Sequence, residues 1–345
     1  MTQRPRLTPA VADVRRAVRT NLADVEHGSV VLVALSGGPD SLALAAGLGF
    51  EAPKLGLRAG AIIVDHGLQD GSAEVAERAA SQAQALGLDP VIIRSVKVVP
   101  QSGPEADART ARYAALEAVA KETGAVAVLL GHTLDDQAET VLLGLTRGSG
   151  ATSLAGMSEI NAIYRRPLLG IRRAETVAAC ADQQLTPWND PHNEDSAYTR
   201  VRIRTEIMPM LEDKLGPGVA EALARTAEQL RQDAVVLDAL TAEMMPTVLV
   251  PALGEPVDSR RAVLEISQLE ALPVAILNRV IRRTALEVFS VSLSAAHTTS
   301  ITRLITHWHG QGEAHVPGIR VERQGTQLVM SSTSSPPTES SAHQH

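Results

Sequence analysis

The sequence is poor in cysteine, in aromatic residues and in long apolar runs, and each shortage excludes a class of protein. Its 345 residues include one cysteine, Cys180, which excludes an internal disulfide framework and a Cys-x-x-Cys metal or redox pair. Aromatic residues make up 2% of the chain, which argues against a long platform for stacking bases. No apolar run reaches the roughly 18 residues of a membrane span, and no signal-type apolar segment follows the N-terminus. We therefore expect a soluble, cytoplasmic protein without a membrane partner.

The chain also lacks an excess of positive charge. Its formal net charge is −7, so the surface as a whole does not favour nucleic acid, and any such binding needs local basic patches. The length of 345 residues predicts two domains. Hydrophobic residues at 44% and charged residues at 21% are typical of a globular protein with a sizeable core.

Strands alternate with helices over the first half of the chain. Apolar runs predict strands over residues 30–35, 60–64, 90–98 and 125–130, with a further one over 163–168. This alternation indicates an α/β fold with a parallel, doubly wound sheet and helices on both faces. Ligands of such sheets bind at the carboxyl ends of the strands, so chemistry is expected there. Three strands end in polar sequence: Ser36-Gly37-Gly38, Asp65-His66-Gly67 and Gly131-His132.

The second half of the chain predicts a long helix followed by a smaller unit. After Pro246 the pattern changes to short strands, including one over 247–250, and a terminal hairpin over 315–321 and 326–330. The last residues are rich in Ser, Thr, Pro and His, which is typical of disorder. We predict a catalytic domain over 1–216, a bridging helix over 217–245, a small α+β domain over 246–330 and a disordered tail over 331–345.

A glycine turn joins the first strand to a helix, and we call residues 36–41 the phosphate loop. Unpaired N–H groups and the helix dipole at such a junction form a site for phosphate, and glycine lets the backbone approach an anion closely. Neither a Walker lysine nor a G-x-G-x-x-G pattern is present. An ordinary turn between a strand and a helix is the weaker alternative. The sequence Ser-Gly-Gly-x-Asp-Ser resembles the pyrophosphate loop of the N-type ATP pyrophosphatases, which split ATP between the α and β phosphates.

A second polar motif follows the strand over 125–130. His132 lies at the strand end, and Asp136 and Glu139 are three residues apart on one face of the next helix. Two carboxylates and an imidazole beside a phosphate loop suit Mg²⁺ binding and proton transfer. In a purely local explanation, Thr133 caps the helix and Asp136 interacts with its dipole. That explanation accounts for Asp136 but not for His132 and Glu139 together.

Seven segments in a fixed order make the resemblance specific. They look like those of the tRNA(Ile)-lysidine synthetases, a family of N-type ATP pyrophosphatases, and the strong match extends over about residues 28–215. The segments are 36–41, 64–68, 108–116, 131–140, 147–150, 154–157 and 166–169.

The resemblance implies a ligase that uses ATP and Mg²⁺. ATP adenylates carbon 2 of the first anticodon cytidine in a tRNA(Ile) with anticodon CAU, and the ε-amine of free L-lysine then displaces AMP. The products are lysidine, AMP and pyrophosphate. The resemblance also implies an adenine-nucleotide α-hydrolase-like fold for the catalytic domain.

The same resemblance implies roles for individual residues. Asp40, His132, Asp136 and Glu139 are the implied catalytic residues, and Asp40 and Asp136 the implied Mg²⁺ ligands. His132 and Glu139 either position the cytosine or remove a proton from the lysine ammonium, and this choice stays open. The implied ATP-binding residues are Ser36, Gly37, Gly38, Pro39, Asp40, Ser41, Asp65, His66 and Gly131.

Arginines in three clusters supply local positive charge on an acidic chain. Arginine binds phosphate with two parallel hydrogen bonds, so we predict that these clusters bind tRNA. For any single arginine, a solvated surface charge or an ion pair is the better explanation, whereas three clusters together favour RNA. The arginines are Arg109 and Arg112, then Arg165, Arg166, Arg172 and Arg173, and finally Arg200, Arg202 and Arg204.

Two other functions remain open at this point. The chain is either a different N-type ATP pyrophosphatase, which thiolates tRNA or forms an amide, or a non-catalytic ATP-binding module. A single cysteine argues against Cys-dependent thiolation. An amide-forming enzyme would not need the arginine clusters, and a binding module would not need Asp136 and Glu139. DNA is not expected as a partner, and either a monomer or a homodimer is compatible with the sequence.

Overall fold

The computed structural model describes residues 7–67, 71–98, 103–147, 150–188, 197–250 and 261–333. The chain divides into two compact units. The first unit contains the residues up to Thr146 and Leu154–Glu228, and the second contains Arg147–Ser153 and the residues from Gln229 onward. The helix predicted to bridge the two domains supplies residues to both units.

A six-stranded sheet forms the centre of the first unit. All neighbouring strands are parallel except the last pair, which is antiparallel. This arrangement confirms the predicted parallel α/β sheet. In spatial order the strands are β3 (Val91–Ser95), β2 (Arg58–Asp65), β1 (Val30–Ala34), β4 (Ala125–Leu129), β6 (Tyr164–Arg165) and β5 (Ile160–Asn161).

Helices cover both faces of this sheet, which explains why β1 is apolar on both sides. Val31 and Val33 are buried against one group of helices, whereas Val30 and Leu32 face Leu116 on the other side. The first group consists of α1 (Pro9–Asn21), α2 (Pro39–Glu51), α3 (Ser72–Ala85) and α7 (Arg173–Asp182), and the opposite face carries α4 (Pro104–Thr123). The other helices of this part of the chain are α5 (Leu134–Thr146), α6 (Gly150–Leu154), α8 (Thr199–Arg202), α9 (Met208–Leu215) and α10 (Val219–Val248).

An antiparallel sheet of four strands and three helices form the core of the second unit. Leu264, Val280, Ile301 and Met330 are buried between them. This confirms a small α+β unit. The strands lie in the order β7 (Arg261–Glu265), β10 (Gln327–Ser332), β9 (Ile319–Gln324) and β8 (Ala314–Val316), and the helices are α11 (Ile266–Glu270), α12 (Val274–Phe289) and α13 (Ala295–Thr306).

Four local predictions were wrong. The strand expected over 163–168 is confined to Tyr164–Arg165, and a short 3₁₀ helix, Pro167–Gly170, follows it. Residues 247–250 were expected to form a strand, but α10 continues to Val248, and Leu249 makes one isolated bridge to Leu264. The single strand expected over 315–321 is two strands, because Gly318, with φ +70°, turns the chain between β8 and β9. The first two residues of the expected tail belong to β10, while residues 334–345 lie outside the described part of the chain.

Within the described ranges, no helix combines the length and the apolar character needed to cross a membrane.

Candidate active site

The phosphate loop is held in shape by its own serine hydroxyl groups. Ser41 Oγ donates to the Gly38 carbonyl at 3.0 Å and accepts from the Ser36 amide at 3.2 Å. Gly37 has φ +85°, a conformation that favours glycine. The first N–H groups of α2 have no acceptor inside the helix. They are therefore available to an anion at the carboxyl end of β1.

Gly131 brings the second motif against this loop. It follows β4, which is the parallel neighbour of β1. A β-carbon on Gly131 would lie 2.9 Å from the Ser41 nitrogen and 3.0 Å from its Cα, so no side chain fits. The absence of a side chain therefore allows His132 and the start of α5 to lie beside the first turn of α2.

Arg173 joins the two carboxylates that were predicted to bind metal. Its Nε is 3.1 Å from Asp40 Oδ2, and its Nη2 is 2.8 Å from Asp136 Oδ1. Arg173 is the first residue of α7, which packs on the same face of the sheet as α2. One guanidinium group thus links the first turn of α2 to the first turn of α5.

Glu139 and Arg204 extend this group, and we call Asp40, Asp136, Glu139, Arg173 and Arg204 the acid–arginine cluster. The Glu139 carboxylate accepts from Arg204 Nε at 2.7 Å and from its Nη2 at 3.0 Å. Arg204 Nη2 also reaches Asp136 at 3.3 Å. Three carboxylates and two guanidinium groups are therefore connected at one edge of the sheet.

The three carboxyl groups of the cluster differ in their pKa. Burial raises the pKa of Asp40 and of Glu139, although Arg173 and Arg204 respectively oppose this effect. Burial would also raise the pKa of Asp136, but Arg173 and the hydrogen bonds from Thr133 outweigh it, and the net shift is downward. Asp136 is therefore the carboxylate that the protein holds most firmly in its charged form.

Two threonines complete the hydrogen bonding of the two aspartates. The Thr133 amide and hydroxyl groups each donate to Asp136 Oδ2 at 2.8 Å. The Thr176 hydroxyl donates to Asp40 Oδ1. Thr176 was not among the predicted site residues; it lies three residues after Arg173 on α7.

Asp40 and Asp136 offer the oxygen atoms that Mg²⁺ prefers. All four oxygens already accept hydrogen bonds from threonine or arginine. These carboxylates would hold a metal ion most readily after the Arg173 guanidinium group had left its present position. Two protein carboxylates, supplemented by water and phosphate oxygens, match the usual Mg²⁺ environment in nucleotide sites. The donor set therefore fits this ion once Arg173 has moved.

The two histidines predicted in the site are both disfavoured as cations. Burial, followed by the charge of Arg166, lowers the pKa of His132 to about 3 although Asp136 opposes the shift. Arg166 Nε lies 3.2 Å from His132 Nδ1. Burial and the charge of Arg112 lower the pKa of His66, whose buried Nδ1 has no hydrogen-bond partner among the described residues. Both rings are therefore neutral at neutral pH.

Arg109 and Arg112 carry positive charge that the described residues do not neutralise. Arg109 donates to the Tyr113 hydroxyl at 3.2 Å and lies 4.9 Å from the centre of its ring. Burial lowers the pKa of Arg112, and within the described part of the chain its Nε has no hydrogen-bond partner. No carboxylate whose side chain the structure describes forms an ion pair with either arginine. This pair is therefore open to an external anion.

Most of the other arginines predicted to bind RNA have partners within the protein. Arg165 forms two hydrogen bonds to Asp24, at 2.6 and 2.9 Å, and Arg166 is 6% exposed. Arg172 pairs with Asp135 at 2.9 Å, and it also pairs with Glu212 and Glu221. Arg173 and Arg204 lie in the acid–arginine cluster, Arg200 is 3.6 Å from Glu139, and Arg202 donates to Thr199 and the Ala197 carbonyl. The sequence did not indicate these partners, and RNA binding by these arginines stays a prediction.

A cavity of about 130 Å³ adjoins the acid–arginine cluster. It is lined by two carboxylates, two guanidinium groups and a thioether, from Asp135, Glu139, Arg173, Arg204 and Met208. Charges of both signs around an apolar side chain suit a small zwitterion with an aliphatic portion.

Comparison with known proteins gives consistent matches over both units. Residues 11–211 match a PP-loop domain model, and residues 264–328 match the TilS substrate binding domain. The chain is 56% identical to a tRNA(Ile)-lysidine synthase of Leifsonia xyli subsp. xyli, over 88% of this chain and 90% of that one. It is 50% identical to one from Thermobifida fusca, over 94% of this chain and 98% of that one.

A similar solved structure is a U34-tRNA thiolase, NcsA, from Methanococcus maripaludis with its [4Fe-4S] cluster. The TM-score is 0.54 and the identity 21%, with 64% of this chain and 79% of that chain covered. At this identity the similarity supports the fold alone.

Proposed function

The chain belongs to the tRNA(Ile)-lysidine synthase family, and we propose that it converts the first anticodon cytidine of a tRNA(Ile) with anticodon CAU into lysidine. The cytosine O2 attacks the α-phosphorus of ATP and pyrophosphate leaves. The ε-amine of free L-lysine then attacks carbon 2, and AMP leaves with that oxygen. The contact of Gly131 with Ser41 carries this proposal most directly, because it joins the phosphate loop to the acidic motif.

ATP binding is assigned to the loop and the neighbouring strand ends. The amides around Gly37, Gly38 and Ser41 hold the β and γ phosphates, where charge builds as pyrophosphate leaves. Asp65, the last residue of β2, and His66, which follows it, lie beside the adenosine in this proposal. Asp65 Oδ1 accepts from the Gly67 amide at 2.9 Å, which keeps its carboxylate close to the backbone.

Asp40 and Asp136 are the proposed residues for Mg²⁺, which neutralises charge on the phosphates when it is bound. Arg173 now occupies the position between the two carboxylates. On arrival of nucleotide, Arg173 exchanges these carboxylates for phosphate oxygens, which a guanidinium group binds equally well. Thr133 and Thr176 keep their aspartates oriented during this exchange.

Lysine is proposed to occupy the cavity beside the cluster. Asp135 and Glu139 provide negative charge for its ammonium groups, Arg173 and Arg204 provide positive charge for its carboxylate, and Met208 packs on its methylene groups. Two lining residues, Arg173 and Arg204, hydrogen-bond to Asp136, which is close to the proposed position of the phosphates. This neighbourhood would bring the ε-amine towards the activated cytosine.

RNA is proposed to approach through Arg109 and Arg112, because their charge has no carboxylate partner among the described residues. Either arginine can bind the phosphates that flank the cytidine. The second unit, which matches the TilS substrate binding domain, is proposed to bind the tRNA at a distance from the anticodon. Thiolation is disfavoured because a single cysteine cannot hold an iron–sulfur cluster.

Transfer of labelled lysine tests the proposal. Purified chain, ATP, Mg²⁺, radiolabelled L-lysine and an unmodified tRNA(Ile) transcript with anticodon CAU should yield labelled tRNA and AMP in equal amounts. The same transcript with U in place of the cytidine is the matched control and should stay unlabelled. ATP consumption without labelled tRNA, or equal labelling of both transcripts, contradicts the proposal.

A further inference from the structure

Arg166 and His132 meet where two neighbouring parallel strands end. Leu129 of β4 pairs with Arg165 of β6, so the residues that follow both strands emerge at one edge of the sheet. There Arg166 Nε lies 3.2 Å from His132 Nδ1. Arg166 Nη1 also donates to the Ser158 carbonyl at 2.9 Å, and this second hydrogen bond fixes the plane of the guanidinium group.

This contact determines the tautomer of the histidine. A guanidinium group has donors but no acceptor, and it keeps its charge in proteins. Nδ1 of His132 therefore accepts the hydrogen bond with its lone pair, and the ring proton is on Nε2. A protonated ring would place a second N–H group against that of Arg166. The geometry thus excludes the imidazolium as well as the other neutral tautomer.

The remaining ring nitrogen is free for a ligand. Across the described residues, His132 makes no hydrogen bond other than that with Arg166. Arg166 is 6% exposed, so its guanidinium group is largely withdrawn from solvent. The pair therefore presents one polar group to the site, the Nε2–H of His132.

We propose that Arg166 is a positioning residue that fixes His132 as the Nε2–H tautomer, so that His132 donates a hydrogen bond to an oxygen of the reacting groups and does not take a proton from lysine. The inference rests on the proposed function, because that oxygen is cytosine O2 or another oxygen of the α-phosphate to which O2 is bonded. Negative charge on this oxygen increases as AMP leaves, and a fixed donor stabilises it. The proton of the lysine ammonium then passes to the other candidate, the Glu139 carboxylate, which lines the cavity proposed for lysine.

Nitrogen NMR of the full-length, ¹⁵N-histidine-labelled chain tests the tautomer without any activity. At about pH 7, His132 should show a pyridine-like Nδ1 and a pyrrole-like Nε2, assigned by their loss in His132→Gln. Arg166→Met should introduce the second tautomer. The control Arg94→Met, which removes a surface partner of Glu122, should leave both signals unchanged. A pyrrole-like Nδ1 or an imidazolium in the unmodified chain overturns the inference, even if Arg166→Met does not fold.

Kinetics of lysine transfer test the donor role. Glutamine at position 132 keeps an N–H donor near Nε2 but has no basic nitrogen, whereas alanine has neither. We expect His132→Gln to retain roughly 10-fold more kcat than His132→Ala. Arg166→Met should lower kcat by about 10- to 100-fold without changing KM for lysine. Equal losses in the two His132 variants overturn the donor role, whereas a lack of transfer by the unmodified chain overturns the proposed function.

Discussion

Glu139 and Arg204 form a doubly hydrogen-bonded ion pair around a carboxylate that is 1% exposed. The next arginines, Arg200 and Arg173, lie farther from that carboxylate, at 3.6 and 3.8 Å. Arg204 therefore satisfies most of the hydrogen-bonding capacity of a buried charge. The energetic consequence is asymmetric, because loss of the cation leaves the anion buried without an adequate partner.

A double-mutant cycle should reveal this asymmetry. Arg204→Met is expected to lower the free energy of unfolding by about 3 kcal/mol, and Arg204→Met with Glu139→Gln should recover most of that loss. Loss of Arg204 moves the pKa of folded Glu139 further above its unfolded value. The loss of stability in Arg204→Met is therefore largest at high pH. It shrinks as the pH falls towards the pKa that Glu139 has in the unfolded chain. Urea unfolding of the four proteins measures both effects. A double variant as unstable as Arg204→Met would refute the explanation.

Asp40→Asn should lower activity and raise stability. Burial raises the pKa of folded Asp40, so the folded chain binds more protons than the unfolded chain above about pH 3.9. The contribution of Asp40 to stability consequently falls as the pH rises through that window. The variant should therefore gain stability relative to the unmodified chain between acidic and neutral pH. Its lysine transfer should drop on the order of 100-fold or more. Urea midpoints at several pH values, measured with the transfer assay, check both expectations, and a variant that loses stability at pH 7 would contradict the first.

Arg112→Met should weaken tRNA binding but not folding. Burial of a cation without a carboxylate partner contributes no stabilising ion pair, so the free energy of unfolding should stay the same or rise. Loss of one phosphate contact should reduce the slope of log affinity against log salt by about 1. Filter binding at several salt concentrations measures the slope. The exposed Arg58, which donates to the Gly28 carbonyl, supplies the control variant Arg58→Met. An unchanged slope in Arg112→Met would show that this arginine does not face RNA phosphate.

Met208→Phe should separate the two steps of the reaction. The larger ring enters the cavity of about 130 Å³ and competes with the methylene groups of lysine. We expect KM for lysine to rise roughly 10-fold, in line with about 1–3 kcal/mol of lost packing. Formation of the adenylated tRNA without lysine should continue at the original rate. Met210, which is 52% exposed two residues later, supplies the control Met210→Phe. An equal loss of adenylation and lysine transfer would argue against lysine in this cavity.

The positions of the phosphate loop, His132, Asp136 and Glu139 were accessible from the sequence for one physical reason. Parallel strands end at a common edge, so polar residues after separate strands converge there. The phosphate loop follows β1 and His132 follows β4, and these strands are neighbours. Helical spacing then brought Asp136 and Glu139 onto one face. Local sequence patterns and one topological rule were sufficient to predict where these residues lie.

The residues that bind the arginines could not be predicted from the sequence in this way. Arg173 is separated from Asp40 by 133 positions, and nothing in the local sequence distinguishes an arginine that binds carboxylate from one that binds phosphate. The two anions are recognised by the same guanidinium geometry. The tertiary structure determines which anion Arg173 binds, because α7 packs beside α2 and directs Arg173 towards Asp40 and Asp136. The same limit applies to Thr176, whose short side chain has many local acceptors.

The close approach of Gly131 to Ser41 has a mechanical consequence. A β-carbon on Gly131 would lie 2.9 Å from the Ser41 nitrogen, so the first turn of α2 packs closely against the backbone before His132. A shift of that turn on phosphate binding is therefore transmitted to the histidine without an intervening flexible side chain. We therefore expect the strand end that holds His132 to respond to the nucleotide state of the phosphate loop. In this way Gly131 would link the position of the phosphate loop to the position of His132.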